Sequence, residues 1–178
     1  KFAEWDADDQ LPAGWGYQNV GRVVETGPDV RSLAVGDELF LSADHVETAV
    51  TPEDGLLVRL PSEVDRTHAP LFGMASAAMR SCRHADLRMG ERVLIVGQGC
   101  SGQMSAQIAD RMGARVAVCE VDARRLDVAR RIGAAEENHD VSCDGWERCV
   151  PEGTFDAVID LAGVVGMEDR LIRAVRNR

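Results

Sequence analysis

The chain has 178 residues, 45% hydrophobic and 28% charged, the balance of one folded domain or of parts of two. Its formal charge of −10 argues against a nucleic-acid partner. No apolar run approaches the roughly 18 residues of a membrane span, and no signal peptide is visible from Lys1 onward.

A cytoplasmic protein, cut from something longer, is the expectation. The five cysteines, Cys82, Cys100, Cys119, Cys143 and Cys149, form no CxxC pair and are expected to be reduced thiols. Cys143 and Cys149 have no further Cys or His at ligand spacing, so no metal is assigned to them.

Residues 1–13 are polar and acidic and read as a loop, with Trp5 and Trp15 packed on the body. Residues 16–60 read as short strands at 21–26, 36–40, 47–50 and 56–60, divided by Gly, Pro and Asp turns. That is the pattern of a small barrel or sandwich. Residues 65–83 carry Leu71, Met74, Ala75, Ala78 and Met79 at helical spacing, with Pro70 early in the helix. This helix links the β part to the next domain. The domains are placed at 1–88 and 89–178.

Residues 92–102, RVLIVGQGCSG, hold the strongest signal. Val93 to Val96 form an unbroken apolar run, which reads as a strand buried on both faces. Gly97, Gly99 and Gly102 follow with the GxGxxG spacing of a dinucleotide-binding turn. Gly97 allows the tight turn, Gly99 lets backbone approach a pyrophosphate, and Gly102 lets the next helix pack closely. Free N–H groups at that helix start would face phosphate oxygens. A ligand-free glycine turn has the same spacing, so the residues beyond it matter.

Residues 103–113 place Met104, Ile108 and Met112 on one helix face, ended by Gly113. Val116 to Cys119 form a second apolar strand, and Glu120 stands at its end. An acid that grips a cofactor ribose is expected roughly 20 residues after the turn. Residues 123–132 read as a helix with Leu126, Ala129 and Ile132 inward. Its Arg124, Arg125, Arg130 and Arg131 read as a solvated face, and Gly133 closes it. A short strand is expected near 137–141, an apolar strand at 155–161, and a helix at 166–178 with Met167, Leu171 and Val175 on one face. Alternating strands and helices imply an α/β fold with a parallel, doubly wound sheet. Its strands run in the order 3-2-1-4. The fourth is almost wholly apolar and suits a central position.

Several stretches, in order, resemble the medium-chain dehydrogenase/reductases, the superfamily of zinc alcohol dehydrogenases and quinone oxidoreductases. They are residues 16–27 (GYQNVGRVVETG), 35–40 (VGDELF), 56–61 (LLVRLP), 92–102, 125–134 (RLDVARRIGA) and 155–163 (FDAVIDLAG). The resemblance implies a GroES-like β domain followed by a doubly wound parallel Rossmann sheet, each partial. It implies that Gly97, Gly99, Cys100, Ser101 and Gly102 hold a pyrophosphate, and that Glu120 and Arg125 contact the adenosine ribose. A carboxylate at Glu120 repels a 2′-phosphate, so NAD is favoured, while Arg124 and Arg125 keep NADP possible.

The departures point to a zinc-free branch. Zinc members carry His then Glu where this chain has Tyr17 and Gln18, and a carboxylate or Cys where it has Gly73. The four-cysteine lobe is absent between Phe40 and Glu47, and no metal site is assigned. Tyr17, at the family's active-site position, is the catalytic candidate, as an orienter of a substrate carbonyl or a proton relay. A packed aromatic is the alternative for that residue. His45 reads as an exposed loop histidine.

The implied activity is hydride transfer between nicotinamide and a small alcohol, carbonyl or activated alkene, without zinc. The implied partners are a small-molecule substrate and, in the full-length protein, a second copy. The 178-residue piece is expected to be inactive, because strands that shape the nicotinamide pocket in the family are missing. Two rivals stay open: a non-enzymatic dinucleotide-binding module and an S-adenosylmethionine-dependent methyltransferase.

Overall fold

The computed structural model describes residues 16–142 and 145–176. The expectations for Trp5, Trp15, Cys143 and the first thirteen residues lie outside that range. Two compact units meet in sequence at Gly73–Met74. The boundary read from the sequence lies further on, between 88 and 89.

The first unit is a three-stranded antiparallel sheet of β1 (Asn19–Arg22), β2 (Glu38–Leu41) and β3 (Leu57–Arg59), in the order β1-β2-β3. Asn19 faces Leu41, Arg22 faces Glu38, and Leu41 faces Leu57. Among its described residues, Leu39, Phe40, Leu41 and Ala69 are buried and apolar. The Phe40 ring meets Phe72 edge-on, with centroids 5.2 Å apart. Ion pairs Arg59–Asp37 (2.8 Å) and Arg22–Glu38 (3.1 Å) tie the strands at the surface.

Two strand expectations are corrected here. β1 starts and ends earlier than 21–26. Val23 still exchanges backbone bonds with Gly36 and Asp37, but Val24 is exposed and the chain leaves the sheet. Residues 47–50 join no strand, and Val46 and Val50 are exposed. Their valines favour β structure only where a neighbouring strand receives them.

A 3-10 turn (Ala69–Leu71) leads into α1 (Phe72–His84), which crosses from the first unit into the second. The helix starts later than residue 65, and it buries Ala78 and Cys82 instead of Leu71 and Met79.

The second unit holds β4 (Arg92–Val96), β5 (Arg115–Glu120), β6 (Glu137–Asp140) and β7 (Ala157–Asp160), all parallel, in the order β6-β5-β4-β7. That is the expected 3-2-1-4 order. Side chains alternate as strand geometry requires. Val93, Ile95, Val116 and Val118 join one buried cluster, and Leu94, Val96, Ala117 and Cys119 join the other. The first cluster is capped by α2 (Cys100–Arg111) and α3 (Ala123–Ile132). The second is capped by α4 (Trp146–Cys149) and α5 (Glu168–Ala174), around fully buried Phe155.

α2 presents Gly102, Ser105, Ala106 and Ala109 inward. The expected stripe of Met104, Ile108 and Met112 is displaced, with Ile108 and Met112 at the cluster's margin. Small residues let the helix lie close to the sheet. α3 has the expected bounds and buries Leu126 and Ala129, but Ile132 is exposed. α5 is shorter than expected, because Val175 turns extended and bridges Phe155 beside β7. Among the described residues β6 forms one margin of the sheet, and it carries Glu137, His139 and Asp140. Among the described residues, no helix is long and apolar enough to cross a membrane.

Candidate cofactor site

The glycine turn joins β4 to α2. Gly97 has φ +87°, a conformation side chains rarely adopt, and a Cβ there would lie 3.0 Å from the Ala162 nitrogen. Its N–H donates to the Cys119 carbonyl at 2.9 Å. Gly99 faces open space, so its backbone is approachable. At Gly102 a Cβ would strike the Gly97 carbonyl oxygen. The residue thus packs α2 against the turn itself. Gly99 is the N-cap of α2, no side chain caps that end, and its first turn holds no acid. Cys100 is exposed and Ser101 half-buried. This is an open cradle of backbone donors at a helix start, suited to a phosphate-bearing ligand.

Glu120 ends β5 and is 6% exposed. One carboxylate oxygen accepts the Gln98 N–H at 2.7 Å. The other accepts from Val121 N (2.7 Å) and Asp122 N (3.0 Å). The Arg125 guanidinium lies 4.0 Å from the first oxygen. The structure therefore brings Glu120, Arg125 and the glycine turn together. Tyr17 belongs to the other unit.

Sequence reasoning missed three residues here. Gln98 is 1% exposed and donates its side-chain amide to the Gly97 carbonyl, while its amide oxygen has no partner among the described residues. Gln103 bonds backbone on both sides of the site. Asp122 caps α3 by accepting from Arg124 N and Arg125 N. Only Asp122 had a readable signal, an acidic residue directly before a helix. A cleft of about 370 Å³ lined by Trp146, Val150, Glu152 and Arg170 contains none of the turn residues.

Comparison with known proteins places this geometry. Residues 73–168, more than half of the chain, match the family described as "Alanine dehydrogenase/PNT, C-terminal domain". D-guloside 3-dehydrogenase of Escherichia coli (strain K12) is 37% identical over 123 residues, covering 67% of this chain and 35% of that protein. L-threonine 3-dehydrogenase of Burkholderia ambifaria is 27% identical, covering 94% and 58%. A zinc-binding dehydrogenase homologue from Sinorhizobium meliloti 1021, solved with NADP bound, superposes with a TM-score of 0.79 at 22% identity, covering 94% and 59%. Quinone oxidoreductase of Pseudomonas syringae gives 0.77 at 24%, covering 94% and 54%. The chain belongs to the medium-chain dehydrogenase/reductase superfamily, and its residues 73–168 to the alanine dehydrogenase/PNT C-terminal domain family. It spans 35% and 58% of the length of the two curated relatives named here.

In this medium-chain dehydrogenase/reductase the small β unit has its own local order. The Gln18 side chain fills the space above Gly73, where a Cβ would meet its amide carbon at 2.5 Å, and its oxygen accepts the Gly73 N–H at 3.1 Å. The His45 ring lies where a Cβ of Gly16 would be, and Asn19 holds the preceding loop through the Asp44 carbonyl. Tyr17 is 63% exposed. Among the described residues, no group of three His, Cys, Asp or Glu is arranged to hold a metal.

Two expected results arise from the charges and thiols. The Arg124 guanidinium, and then the Arg124 and Arg125 amides, hold the Asp122 carboxyl below the usual aspartate range. A depressed carboxyl stabilises the fold above its unfolded pKa, and that contribution is lost as pH falls through the lower, folded value. Protection of the Arg124 and Arg125 amides from hydrogen exchange, taken relative to the unstructured-chain rate at the same pH, is expected to be high at neutral pH and to fall on acidification. Asp122→Asn is expected to flatten that dependence; an unchanged profile would contradict the cap. Burial pushes the Cys119 thiol up to about 12 and also raises Cys82. Among the described cysteines, Cys100 is exposed. It is expected to be alkylated first by iodoacetamide in peptide mapping, with Cys119 unmodified until the protein unfolds.

Proposed function

We propose that the protein is an NAD(P)-dependent oxidoreductase acting on a small alcohol, carbonyl or activated alkene without catalytic zinc. The observation that carries this reading is the Glu120 carboxylate, 2.7 Å from the amide of Gln98 inside the glycine turn. A diphosphate fits the open face at Gly99, where no side chain stands, and the free N–H groups of Cys100 and Ser101 would bind it. Glu120 and Arg125 would hold the adenosine ribose. Glu120 favours NAD, while Arg124 and Arg125 leave room for NADP. The bound nicotinamide supplies the hydride chemistry; the chain orients and polarises. Tyr17 is the proposed substrate-orienting group.

Three features support a zinc-free site: Tyr17 and Gln18 stand where zinc members carry His and Glu, and the Gln18 amide fills the space at Gly73. The proposed partners are a small-molecule substrate and a second copy of the full-length protein, with neither nucleic acid nor membrane involved.

Nicotinamide fluorescence during NADH and NADPH titration tests the reading. Saturable binding is expected, with S-adenosylmethionine failing to compete. No binding at about 1 mM dinucleotide, a free energy near 4 kcal/mol, would remove the proposal. Turnover of small aldehydes and quinones is expected from the full-length protein and not from these 178 residues alone. A full-length protein that binds NADH and turns over none of them would point to a non-enzymatic binding module.

A further inference from the structure

Gln103 is the first residue after the glycine turn, and its side chain reaches both halves of the site. Its amide nitrogen donates to the Gln98 carbonyl at 3.2 Å and to the Arg125 carbonyl at 3.1 Å. Both partners are carbonyl oxygens, so the nitrogen must face them; a flipped amide would set oxygen against oxygen. The two hydrogens of that nitrogen are thereby both used. The backbone carbonyl of Gln103, separately, accepts from the side chain of Gln107, one helical turn on, at 3.2 Å.

The two bridged residues are themselves fixed. Gln98 gives its N–H to Glu120, so residue 98 is held by Glu120 on its amide side and by Gln103 on its carbonyl side. Arg125 gives its N–H to Asp122 at 3.3 Å and its carbonyl to Gln103. One neutral side chain therefore spans the gap between the turn and the first turn of α3.

We infer that Gln103 is a positioning residue that sets the separation between the diphosphate-facing turn and the ribose-facing start of α3. It thereby selects ligands in which adenosine is joined to a diphosphate. The inference rests on the dinucleotide reading above. A ligand that touches both halves gains from a spacing fixed in advance. Without the clasp, that ligand must impose the spacing itself. A ligand that touches only the ribose side pays nothing.

The test compares ADP and NADH, which reach both halves, with adenosine, which reaches one, using calorimetry on the whole 178-residue chain. Gln103→Met keeps the length and removes both donors. It is expected to weaken ADP and NADH about tenfold, the scale of two neutral hydrogen bonds, and to leave adenosine within about twofold. Gln103→Glu places a carboxylate against two carbonyls and is expected to lose at least as much. Unchanged ADP and NADH binding would overturn the inference. So would a parallel fall for adenosine, which is what a merely structural role produces. Should Gln103→Met lose its cooperative melt, Gln103→Asn is measured instead. It keeps an amide but is one methylene too short to reach both carbonyls, and a loss confined to ADP and NADH is expected; any other pattern overturns the inference. A wild-type chain that binds neither ADP nor NADH removes the dinucleotide reading and this inference together. Binding that is equal in wild type and variant removes the inference alone.

Discussion

Gly102→Ala is expected to weaken dinucleotide binding severely and to lower stability, although alanine is the better helix former. On propensity alone the change would stabilise α2 by roughly 0.5–1 kcal/mol. The new methyl group, however, falls on the Gly97 carbonyl oxygen. That oxygen is backbone and cannot rotate away. Gly97 is itself pinned by its bond to Cys119 and by Ala162 behind it. The collision is relieved only by lifting the start of α2 or by opening the turn, and both displace the N–H groups. Overpacking of this kind costs about 1–3 kcal/mol and outweighs the propensity gain. NADH affinity is expected to fall by roughly two orders of magnitude or more, close to 3 kcal/mol. Gly99→Ala is the contrasting variant. Its methyl group meets nothing within 4 Å, so the melt is expected to hold while NADH binding weakens. A Gly102→Ala protein that melts at or above the wild type and binds NADH normally would refute the close approach.

Glu120→Ala is the second variant with a large expected effect. It strips the acceptor from three backbone donors at once, those of Gln98, Val121 and Asp122. Val121 is exposed and Asp122 half-buried, so water can replace their partner; Gln98 is buried. An orphaned buried donor costs about 1–3 kcal/mol, and the lost charge-assisted bonds add to it. The sum is on the order of 2–4 kcal/mol. Urea unfolding should show it as a lower midpoint at unchanged slope. Glu120→Gln keeps one acceptor oxygen but turns a donor toward another donor, and an intermediate loss is expected. If Glu120→Ala matches the wild type in urea yet fails to bind NADH, the carboxylate serves the ligand alone and does not hold the turn.

The parallel unit was legible because its physics is local. Val93 to Val96 are apolar on both faces and run straight into glycines, which identifies a buried strand and its turn. The bounds of α3 were readable from Leu126 and Ala129 inside and Gly133, at φ +72°, beyond the end. The underside of α2 was not readable. Gly102, Ser105, Ala106 and Ala109 carry little hydrophobic signal, although close packing depends on their small size. Residues 47–50 misled because strand propensity does not reveal whether a neighbour exists. The positioning residues were hidden for another reason. Gln98 and Gln103 are neutral amides whose roles depend on which carbonyls the fold delivers to them. The expectation at Glu120 concerned a ligand, and its bonds to the protein's own backbone had no signature in spacing.

The chemistry of β6 bears on how the protein behaves in concentrated solution. A strand at a sheet's margin offers unpaired backbone groups to any passing strand, and ribbon-like aggregates grow from such margins. Glu137, His139 and Asp140 put two carboxylates and an imidazole along this one. Another molecule docking there strand to strand would bring acid against acid, so growth of a fibre from that side is discouraged by the residues that form it.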